Sequence, residues 1–525
     1  MQKLFSLFTN RIFVVGILLF LQISLLLIGI ILLADVFVYL QTILDTISLI
    51  VVFWILNRNE NPSYKLAWII PILIFPIFGG LLYLIFGGHR TGRHIKKSMG
   101  KISKTTEGLF FQEPEILLEI KEKDLSAYRQ VCYIGRGDID VENPVKSVSP
   151  YPIYKNTTSE YLSPGEKKYE RLLESIKNAK HFILLEYFII QEGIMWNTIL
   201  DILEEKVRDG VEIRILYDDL GCSLKLPATY VETLNKKGIK CRVFNPFRAH
   251  ILETTFMNNR DHRKIAVIDG HTAFTGGMNL ADEYINETHP FGHWKDADIM
   301  LTGEAVWTFT VMFFQSWNLS GEFENINYQF YKPHVYRTEP FKSDGYVLPY
   351  ADSPLDGECV GEMVYLNMIQ RATKYLYIST PYLIMDNELT TALILAAKSG
   401  VDVRIATPGI YDKEFAKLYT QANYLSLIRG GVKIYEYTPG FLHSKTFVSD
   451  DDKATVGTIN LDYRSLYLHF ECGVFLYQTE SVMELKEDYL RMLEYCNPIT
   501  EETCLSTKWY IRFLRGVMKV FAPLM

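Results

Sequence analysis

The sequence predicts an α/β protein made of two similar half-domains, each a mostly parallel sheet flanked by helices, preceded by an N-terminal transmembrane helical region. Three observations support this fold class. Apolar residues are concentrated in the first ninety positions, strands and helices alternate in the rest, and one histidine-containing motif occurs twice. A chain of 525 residues is also too long for one ordinary core, so several domains are expected.

The N-terminal region contains three apolar runs, over residues 12–33, 36–56 and 67–86. Each run approaches the ~20 residues that a helix needs to cross the hydrocarbon core, which predicts two or three membrane spans. Asp45 lies inside the second run, where a carboxylate is unfavourable, so it either pairs within a helix bundle or the run lies partly at the interface. Two spans would leave the N-terminus in the cytoplasm, and three would place it outside.

A cluster of basic residues follows the third run. It consists of Arg90, Arg93, Lys96, Lys97, Lys101 and Lys104. Basic residues beside a span stay on the cytoplasmic side and attract anionic lipid. The pattern therefore predicts a multi-pass protein of the cell membrane whose large C-terminal part is cytoplasmic.

Charge and cysteine content disfavour two other classes of protein. The net charge of −7 argues against a dedicated nucleic-acid binder, which usually carries a basic excess. The seven cysteines are scattered and form no C-x-x-C pair, so neither a disulfide framework nor a zinc site is expected. Such cysteine usage fits a reducing compartment.

The C-terminal part contains an internal repeat. A strand, a helix and a second strand are predicted in turn over residues 182–215, and the same order returns over 375–405. The sequence Gly-Val-Glu-Ile-Arg-Ile at 210–215 resembles Gly-Val-Asp-Val-Arg-Ile at 400–405, at an offset of 190 residues. Alternation of strand and helix is typical of a largely parallel sheet covered by helices, so two half-domains of this kind are expected.

These features divide the chain into five predicted segments. They are a transmembrane region (1–88), a basic juxtamembrane segment and linker (89–150), a first half-domain (151–330), a second half-domain (331–500) and a basic amphipathic C-terminal helix (501–525).

One motif occurs once in each half-domain. It reads His, x, Lys, four residues, Asp, six residues, Gly, a small residue, x and Asn, and every matched position differs by 181. The residues are His262, Lys264, Asp269, Gly276, Gly277 and Asn279 in the first copy, and His443, Lys445, Asp450, Gly457, Thr458 and Asn460 in the second. Two copies in the same register exclude coincidence.

The spacing places the chemical groups of each motif on one face of a strand, because side chains two residues apart point the same way. Two lysines and the amides of Asn279 and Asn460 would form a cationic pocket that suits a phosphate and its transition state. The small residues Gly277 and Thr458 would let the backbone approach that phosphate. We group Asp269 and Asp450 with the catalytic motif, although their place at strand ends favours a role in local structure.

Two histidines can share the work of phosphoryl transfer. One can attack phosphorus and form a phosphohistidine. The other can protonate the leaving alkoxide and then deprotonate the incoming alcohol or water. Each half-domain alone has one motif histidine, so both are needed. This chemistry needs no metal and no cofactor, and none is expected.

Histidines in these roles are usually oriented by a carboxylate on the other ring nitrogen. Asp296 and Glu471 follow the two motifs on predicted strands, and we assign them to His262 and His443, respectively. Asp298 lies on the same strand face as Asp296 and is the alternative partner.

The paired motifs resemble the signature of the phospholipase D superfamily, and the chain is similar to bacterial cardiolipin synthases along nearly its whole length. The segments that carry this resemblance are Asn-Leu-Asp-Tyr-Arg-Ser at 460–465, Glu-Tyr-Phe at 186–188, Tyr-Asp-Asp at 217–219, Thr-Pro-Tyr-Leu at 380–383 and Asn-Pro-Ser-Tyr-Lys-Leu-Ala-Trp at 61–68. The resemblance implies two phospholipase D-like half-domains.

It also implies a reaction, in which two phosphatidylglycerols give cardiolipin and glycerol. His262 would be the nucleophile that forms a phosphatidyl-histidine, and His443 the general acid and then the base. The motif lysines and asparagines would hold the phosphate. The sequence departs from the family at Gly277 and Thr458, where a serine is common, and in its third apolar run, where two spans are common.

The C-terminal segment has the pattern of a basic amphipathic helix. Lys508, Arg512, Arg515 and Lys519 recur at helical spacing, opposite an apolar stripe of Trp509, Phe513, Val517 and Phe521. Such a helix either lies on an anionic membrane surface or docks on the protein itself.

Several functions remain open at this point. Phosphatidylglycerol and anionic membrane lipid are the expected partners, and nucleic acid is not. The same motifs would serve a phospholipase D that hydrolyses lipid to phosphatidic acid, or transfer to another alcohol. A nucleic-acid phosphodiesterase and a non-enzymatic lipid scaffold are disfavoured by the acidic balance and the intact motifs. The oligomeric state is not predicted.

Overall fold

The computed structural model describes most of the chain. The described residues are 24, 34–58, 61–76, 79–80, 82–83, 93–106, 108–134, 151–246, 258–337, 339–355 and 358–524. They form two compact units, one comprising the described residues up to 83 and from 517 onwards, the other those of 93–246 and 258–516.

The helices and strands of the described residues are as follows. The helices are α1 Ala34–Leu56, α2 Pro62–Ile74, α3 Arg93–Thr106, α4 Pro114–Lys123, α5 Leu125–Ile134, α6 Gly165–Asn178, α7 Ile194–Arg208, α8 Asp219–Cys222, α9 Tyr230–Lys236, α10 Val306–Leu319, α11 Val360–Arg371, α12 Asn387–Lys398, α13 Glu414–Arg429, α14 Tyr463–Tyr467, α15 Glu480–Leu493, α16 Glu501–Ser506 and α17 Trp509–Phe521. The strands are β1 Thr157–Leu162, β2 Phe182–Tyr187, β3 Glu212–Asp218, β4 Lys240–Phe244, β5 Lys264–Ile268, β6 Thr272–Gly276, β7 His293–Lys295, β8 Asp298–Gly303, β9 Tyr346–Asp352, β10 Tyr375–Ser379, β11 Leu383–Ile384, β12 Asp402–Pro408, β13 Lys433–Tyr437, β14 Gly440–Leu442, β15 Thr446–Ser449, β16 Lys453–Gly457, β17 Leu461–Asp462, β18 Glu471–Tyr477 and β19 Cys496–Ile499.

The smaller unit contains α1 and α2. Asn61 caps α2, because its side chain accepts a hydrogen bond from the backbone of Ser63 (2.9 Å), and Pro62 occupies the first turn, where a missing N–H costs nothing. The buried side chains of this unit include Ile55, Trp68 and Ile72. Within the described residues, no helix is both long enough and apolar enough to span a membrane. The predicted run at 12–33 lies outside the described residues, except for residue 24.

The larger unit contains one sheet from each predicted half-domain. The first sheet has the strand order β1-β8-β6-β5-β2-β3-β4, and the second has the order β19-β13-β12-β10-β15-β16-β18-β9. In the first sheet β2, β3 and β4 are parallel, and in the second β10, β12 and β13 are parallel. Helices connect these strands, as a parallel crossover requires.

The prediction of mostly parallel sheets was wrong, because both sheets are mixed and their other pairings are antiparallel. The motif strands, β5 and β15, which follow the two motif histidines, explain the difference. β5 and β6 are joined by a tight turn at Asp269 and Gly270, and β15 and β16 by a turn at Asp450. Strands joined by so short a turn can only pair antiparallel.

A shared core joins the two sheets. Helix α10 is almost entirely buried, and Phe309 and Phe313 on it have no exposed surface. The core around it includes Val267 of the first sheet and Val448 and Val474 of the second. Packing of both sheets on one helix fixes the position of each motif relative to the other.

Two short backbone pairings also cross between the half-domains. β7 pairs with β14 in parallel, and Asp261 forms a single bridge with Phe470. The first pairing needs a glycine, because a Cβ at Gly440 would lie 2.3 Å from the carbonyl oxygen of His293. These pairings hold the residues just before each motif strand against the other half-domain.

The motif aspartates hold the turn after each motif strand. Asp269, at φ 50°, accepts hydrogen bonds from the backbone N–H groups of Lys180, His181 and Phe182 (2.8–2.9 Å). Asp450, at φ 57°, does the same for residues 373–375 (2.7–3.1 Å). Both lie seven residues from the motif histidine, roughly 20 Å along an extended strand. Their grouping with the catalytic residues is therefore corrected to a structural role.

Asp269→Ala should lower the melting temperature of the purified protein by several degrees, because it leaves three backbone donors without an acceptor, at about 1–3 kcal/mol for each buried one. Asp269→Asn keeps one acceptor oxygen and tolerates positive φ, so it should lose less. Differential scanning fluorimetry measures both. An unchanged melting temperature for Asp269→Ala would contradict the structural role.

Candidate active site

The first motif histidine is held by the second half-domain. The backbone N–H of His262 donates to the carbonyl oxygen of Phe470 (2.9 Å). Its ring Nδ1 lies 2.9 and 3.0 Å from the two carboxylate oxygens of Glu471. His262 is 8% exposed and Glu471 is fully buried.

The second motif histidine is held in the same way by the first half-domain. The backbone N–H of His443 donates to the carbonyl oxygen of Lys295 (2.8 Å), and its Nδ1 lies 2.7 Å from Oδ2 of Asp296. The predicted pairing of carboxylates and histidines was therefore wrong, because each carboxylate faces the histidine of the other half-domain. The cause is that the segment before each carboxylate leaves its own sheet to pair with the opposite motif.

Asp298 has a different partner. Its carboxylate lies 3.2 Å from the ammonium group of Lys168, and both side chains are fully buried. Burial raises the pKa of Asp298 to about 6, although the nearby Lys168 acts to lower it. Of the two aspartates considered from the sequence, Asp296 is the one that contacts a motif histidine.

The two motif lysines are buried close to both motif carboxylates. The ammonium group of Lys264 donates to the carbonyl oxygen of His262, and that of Lys445 donates to the carbonyl oxygen of His443. Burial lowers the pKa of Lys264 to about 7 and that of Lys445 to about 8, against the opposing effect of Glu471 and Asp296. The repulsion of Lys445 contributes to the lower pKa of Lys264. An anion placed between them would favour the charged form of both.

In the pairs His262–Glu471 and His443–Asp296, the pKa shifts favour a neutral imidazole beside an ionised carboxylate. Burial lowers the pKa of His262 to about 3, against the raising effect of Glu471, and it lowers the pKa of His443 to about 4. The pKa values of Glu471 and Asp296 are lowered despite burial, because each faces a histidine and a lysine. A neutral imidazole that donates Nδ1–H to a carboxylate keeps a lone pair on Nε2.

The small motif residues support the carboxylates. The hydroxyl of Thr458 donates to Glu471 and accepts from the backbone N–H of Cys472 (3.0 Å). At the matching position a Cβ on Gly277 would lie 1.9 Å from Oδ1 of Asp296. Glycine therefore leaves room for Asp296 at this position. Among the described residues Asp296 has no threonine hydroxyl beside it, and its Oδ1 accepts from the backbone N–H of Ala297 (2.9 Å). Gly277 and Thr458 thus help to place the two carboxylates, and their predicted phosphate contacts stay a prediction.

The motif asparagines differ from each other. Asn279 is buried, accepts from the backbone N–H of Ile189 (3.0 Å) and donates to the hydroxyl of Tyr284 (2.7 Å). Its amide oxygen and one of its two N–H donors are therefore used within the protein. Asn460 is 6% exposed, and its buried Oδ1 has no hydrogen-bond partner among the described residues.

Aromatic groups that the sequence did not single out surround the two histidines. The rings of Tyr284, Trp294 and Phe441 lie 5.1–5.6 Å from the ring of His443. The rings of Phe188 and His469 lie 5.1 and 5.7 Å from that of His262. His469 precedes Glu471 by two residues, and this period-two spacing was the signal available in the sequence.

Two protein families match parts of this chain. A family described as "Cardiolipin synthase, PLD-like domain" matches residues 172–291 and 365–493, and one described as "Phospholipase_D-nuclease N-terminal" matches residues 44–88. The first family covers both motifs.

Similar proteins extend over most of the chain. A cardiolipin synthase of Alkalihalophilus pseudofirmus is 34% identical, covering 89% of this chain and 90% of the relative. An uncharacterized protein of Streptococcus mutans is 42% identical over 90% of this chain and 99% of its own length. Among solved structures, the phosphatidylserine synthase of Haemophilus influenzae aligns with 70% of this chain and 95% of its own at a TM-score of 0.55 and 15% identity, which indicates a common fold. The chain therefore belongs to the cardiolipin synthase family and is a phosphatidyltransferase of the phospholipase D type.

Proposed function

We propose that the protein is a cardiolipin synthase that transfers a phosphatidyl group between two phosphatidylglycerols and releases glycerol. The observation that supports this most is the pair of motif histidines, each backed on Nδ1 by a buried carboxylate of the opposite half-domain, with two buried lysines close to both carboxylates. One such histidine can hold a phosphatidyl group while the other moves the proton. To join two phosphatidylglycerols, the group that holds the phosphatidyl intermediate and the group that moves the proton must act at the same phosphorus atom.

In the first step, His262 is the nucleophile. The Nε2 lone pair attacks phosphorus of the first lipid, a P–N bond forms, and the P–O bond to the glycerol headgroup breaks. His443 enters this step as an imidazolium and gives its proton to the leaving oxygen. The anionic phosphate beside His443 favours that charged form and offsets the effect of burial on its pKa.

The second step runs in reverse with a different alcohol. Neutral His443 takes the proton from a headgroup hydroxyl of the second phosphatidylglycerol. The oxygen attacks phosphorus, a P–O bond forms, and the P–N bond to His262 breaks. His443 is left as the imidazolium, ready for the next cycle, so each atom and proton is accounted for.

The lysines stabilise the charge that develops on the phosphate. Lys264 is the first residue of β5, Lys445 immediately precedes β15, and both would contact its non-bridging oxygens, together with the amide of Asn460. Removal of one such preorganised donor typically costs ~2.7–4 kcal/mol in the transition state. We assign Asn279 to the support of Tyr284, and Asp269 and Asp450 to the support of the sheets.

We further propose that the enzyme is a multi-pass protein of the bacterial cell membrane with its catalytic half-domains, 151–330 and 331–500, in the cytoplasm. The apolar runs and the basic cluster after them support this. Helix α17 adds a surface for anionic lipid, since Trp509 is 73% and Phe513 is 69% exposed on it. Burial of these rings in the interface would bring the active site to headgroup level.

His262→Ala and His443→Ala should each reduce cardiolipin formation by at least about a thousandfold, because neither histidine can perform both roles. The assay supplies membranes that contain the protein with phosphatidylglycerol and follows lipids and glycerol by mass spectrometry. Full activity of either variant would contradict the two-histidine mechanism. Phosphatidic acid without cardiolipin would replace the proposal with lipid hydrolysis, and a different phosphatidyl ester would show another acceptor alcohol.

Gly277→Ala should lower turnover by about a hundredfold, since the added methyl group displaces Asp296 from His443, and a misplacement of about 1 Å can have this effect. Thr458→Val should lower it about tenfold by removal of the hydrogen bond to Glu471, whereas Thr458→Ser keeps that bond. Steady-state rates of cardiolipin formation measure all three. Equal rates for the valine and serine variants would show that this hydroxyl does not position Glu471.

Trp509→Ser combined with Phe513→Ser should reduce turnover of phosphatidylglycerol in anionic proteoliposomes by about tenfold, the equivalent of ~1.4 kcal/mol of lost interface binding. Turnover of a short-chain phosphatidylglycerol in detergent micelles should stay unchanged. Leu224→Ser, at a residue that is 94% exposed, is the matched control and should change neither rate. A double variant that is equally active in proteoliposomes would indicate that α17 does not contact the membrane.

A further inference from the structure

A third imidazole faces the pair of His262 and Glu471. The side chain of His469 is 10% exposed, and its two ring nitrogens are buried without a hydrogen-bond partner among the described residues. Its Nδ1 lies 3.8 Å from Oε1 of Glu471, beyond hydrogen-bond range. Buried polar atoms without a partner are rare in proteins, so this ring is a candidate ligand for a bound ion.

The three side chains form the donor set of a transition-metal site. A ring nitrogen of His262, a ring nitrogen of His469 and a carboxylate oxygen of Glu471 all lie within 4.8 Å of one another. Two imidazoles and one carboxylate are ligands that Zn²⁺ uses, at about 2.0–2.2 Å, which places neighbouring ligand atoms roughly 3.4 Å apart in a tetrahedron. The distances of 2.9 Å from His262 Nδ1 and 3.8 Å from His469 Nδ1 to Oε1 of Glu471 lie on either side of that value.

We propose that His262, His469 and Glu471 bind one Zn²⁺ ion, or a similar nitrogen-preferring divalent ion, and that its binding inhibits the enzyme. Zn²⁺ forms bonds to one nitrogen of each ring and to the carboxylate. Where Nδ1 of His262 is the ligand, its proton is released to solvent. Glu471 then no longer orients His262, and the ring is held by the metal. An inhibitory ion is compatible with the expectation that the phosphatidyl transfer itself uses no metal.

The second histidine pair lacks the third donor. The backbone contacts of His262 with Phe470 and of His443 with Lys295 align His469 with Trp294. An indole donates a hydrogen bond but offers no lone pair to a metal. The pair of His443 and Asp296 therefore has two donors instead of three, and one ion for each chain is expected in the described part of the protein.

The surrounding charge selects the kind of ion. Lys264 donates to the carbonyl oxygen of His262, so a divalent ion is opposed by a neighbouring ammonium group. Ions that bind mainly oxygen, such as Mg²⁺, gain little from two imidazoles and should be rejected. Zn²⁺ and Co²⁺ gain enough from nitrogen ligands to bind.

The test measures binding directly on the full-length protein in detergent, with no turnover involved. Titration calorimetry with Zn²⁺ should give one site for each chain, and Co²⁺ should give the visible spectrum of a four-coordinate site. His469→Phe keeps an aromatic ring but removes both nitrogens, and it should weaken binding at least tenfold. His334→Phe removes an exposed histidine that also faces a carboxylate, and it should leave binding unchanged. Absence of a stoichiometric site, or equal binding by His469→Phe, would overturn the proposal.

Two further measurements test the proposal even if the His469→Phe variant misfolds. In the wild-type protein, Zn²⁺ should protect His262 and His469, but not His443, from modification by diethyl pyrocarbonate, as peptide mass spectrometry would show. Protection of all three or of none would count against the site. Zn²⁺ should also inhibit the wild-type enzyme and not the residual activity of His469→Phe. Since binding and protection need no turnover, a failure of the proposed reaction would leave these results interpretable.

Discussion

The active site depends on one interaction made twice, the contact of each motif histidine with a buried carboxylate of the opposite half-domain. A buried carboxylate is stable as an anion only where partners compensate its desolvation. Glu471 finds them in His262 and Thr458, and Asp296 finds them in His443 and the backbone of Ala297. Neither half-domain can complete its own site, so the shared core around α10 and the β7–β14 pairing are requirements of the chemistry.

Duplication has produced two histidines that are not equivalent. His443 is enclosed by the aromatic rings of Tyr284 and Trp294, and His262 faces a further imidazole. The carboxylate beside one is held by a threonine hydroxyl, and the carboxylate beside the other by a backbone N–H. The proposed mechanism, with one nucleophile and one proton carrier, makes use of such a difference. The same asymmetry confines the proposed metal site to the first histidine.

The sequence predicted the local features of the site well, because they follow from spacing along one strand. The place of Asp269 directly after β5 is of this kind, whereas the prediction of His and Lys on one strand face was wrong, because His262 precedes β5 and His443 and Lys445 precede β15. The crossed carboxylates and the mixed sheets were not predictable in the same way, since periodicity does not tell which strand lies beside which. His469 was missed because its one signal, the period-two spacing from Glu471, is common among residues that flank strands. The role of Thr458 was missed because only its small size, and not its hydroxyl, was considered.

The crossed contact can be measured directly by double-mutant cycles on the free energy of unfolding. Alanine is placed at His262 and Glu471, singly and together, and the same is done for His262 and Asp296. The structure predicts a coupling of about 1.5–3 kcal/mol for the first pair, as for hydrogen bonds to charged groups, and less than about 0.5 kcal/mol for the second. A larger coupling of His262 with Asp296 than with Glu471 would contradict the crossed site.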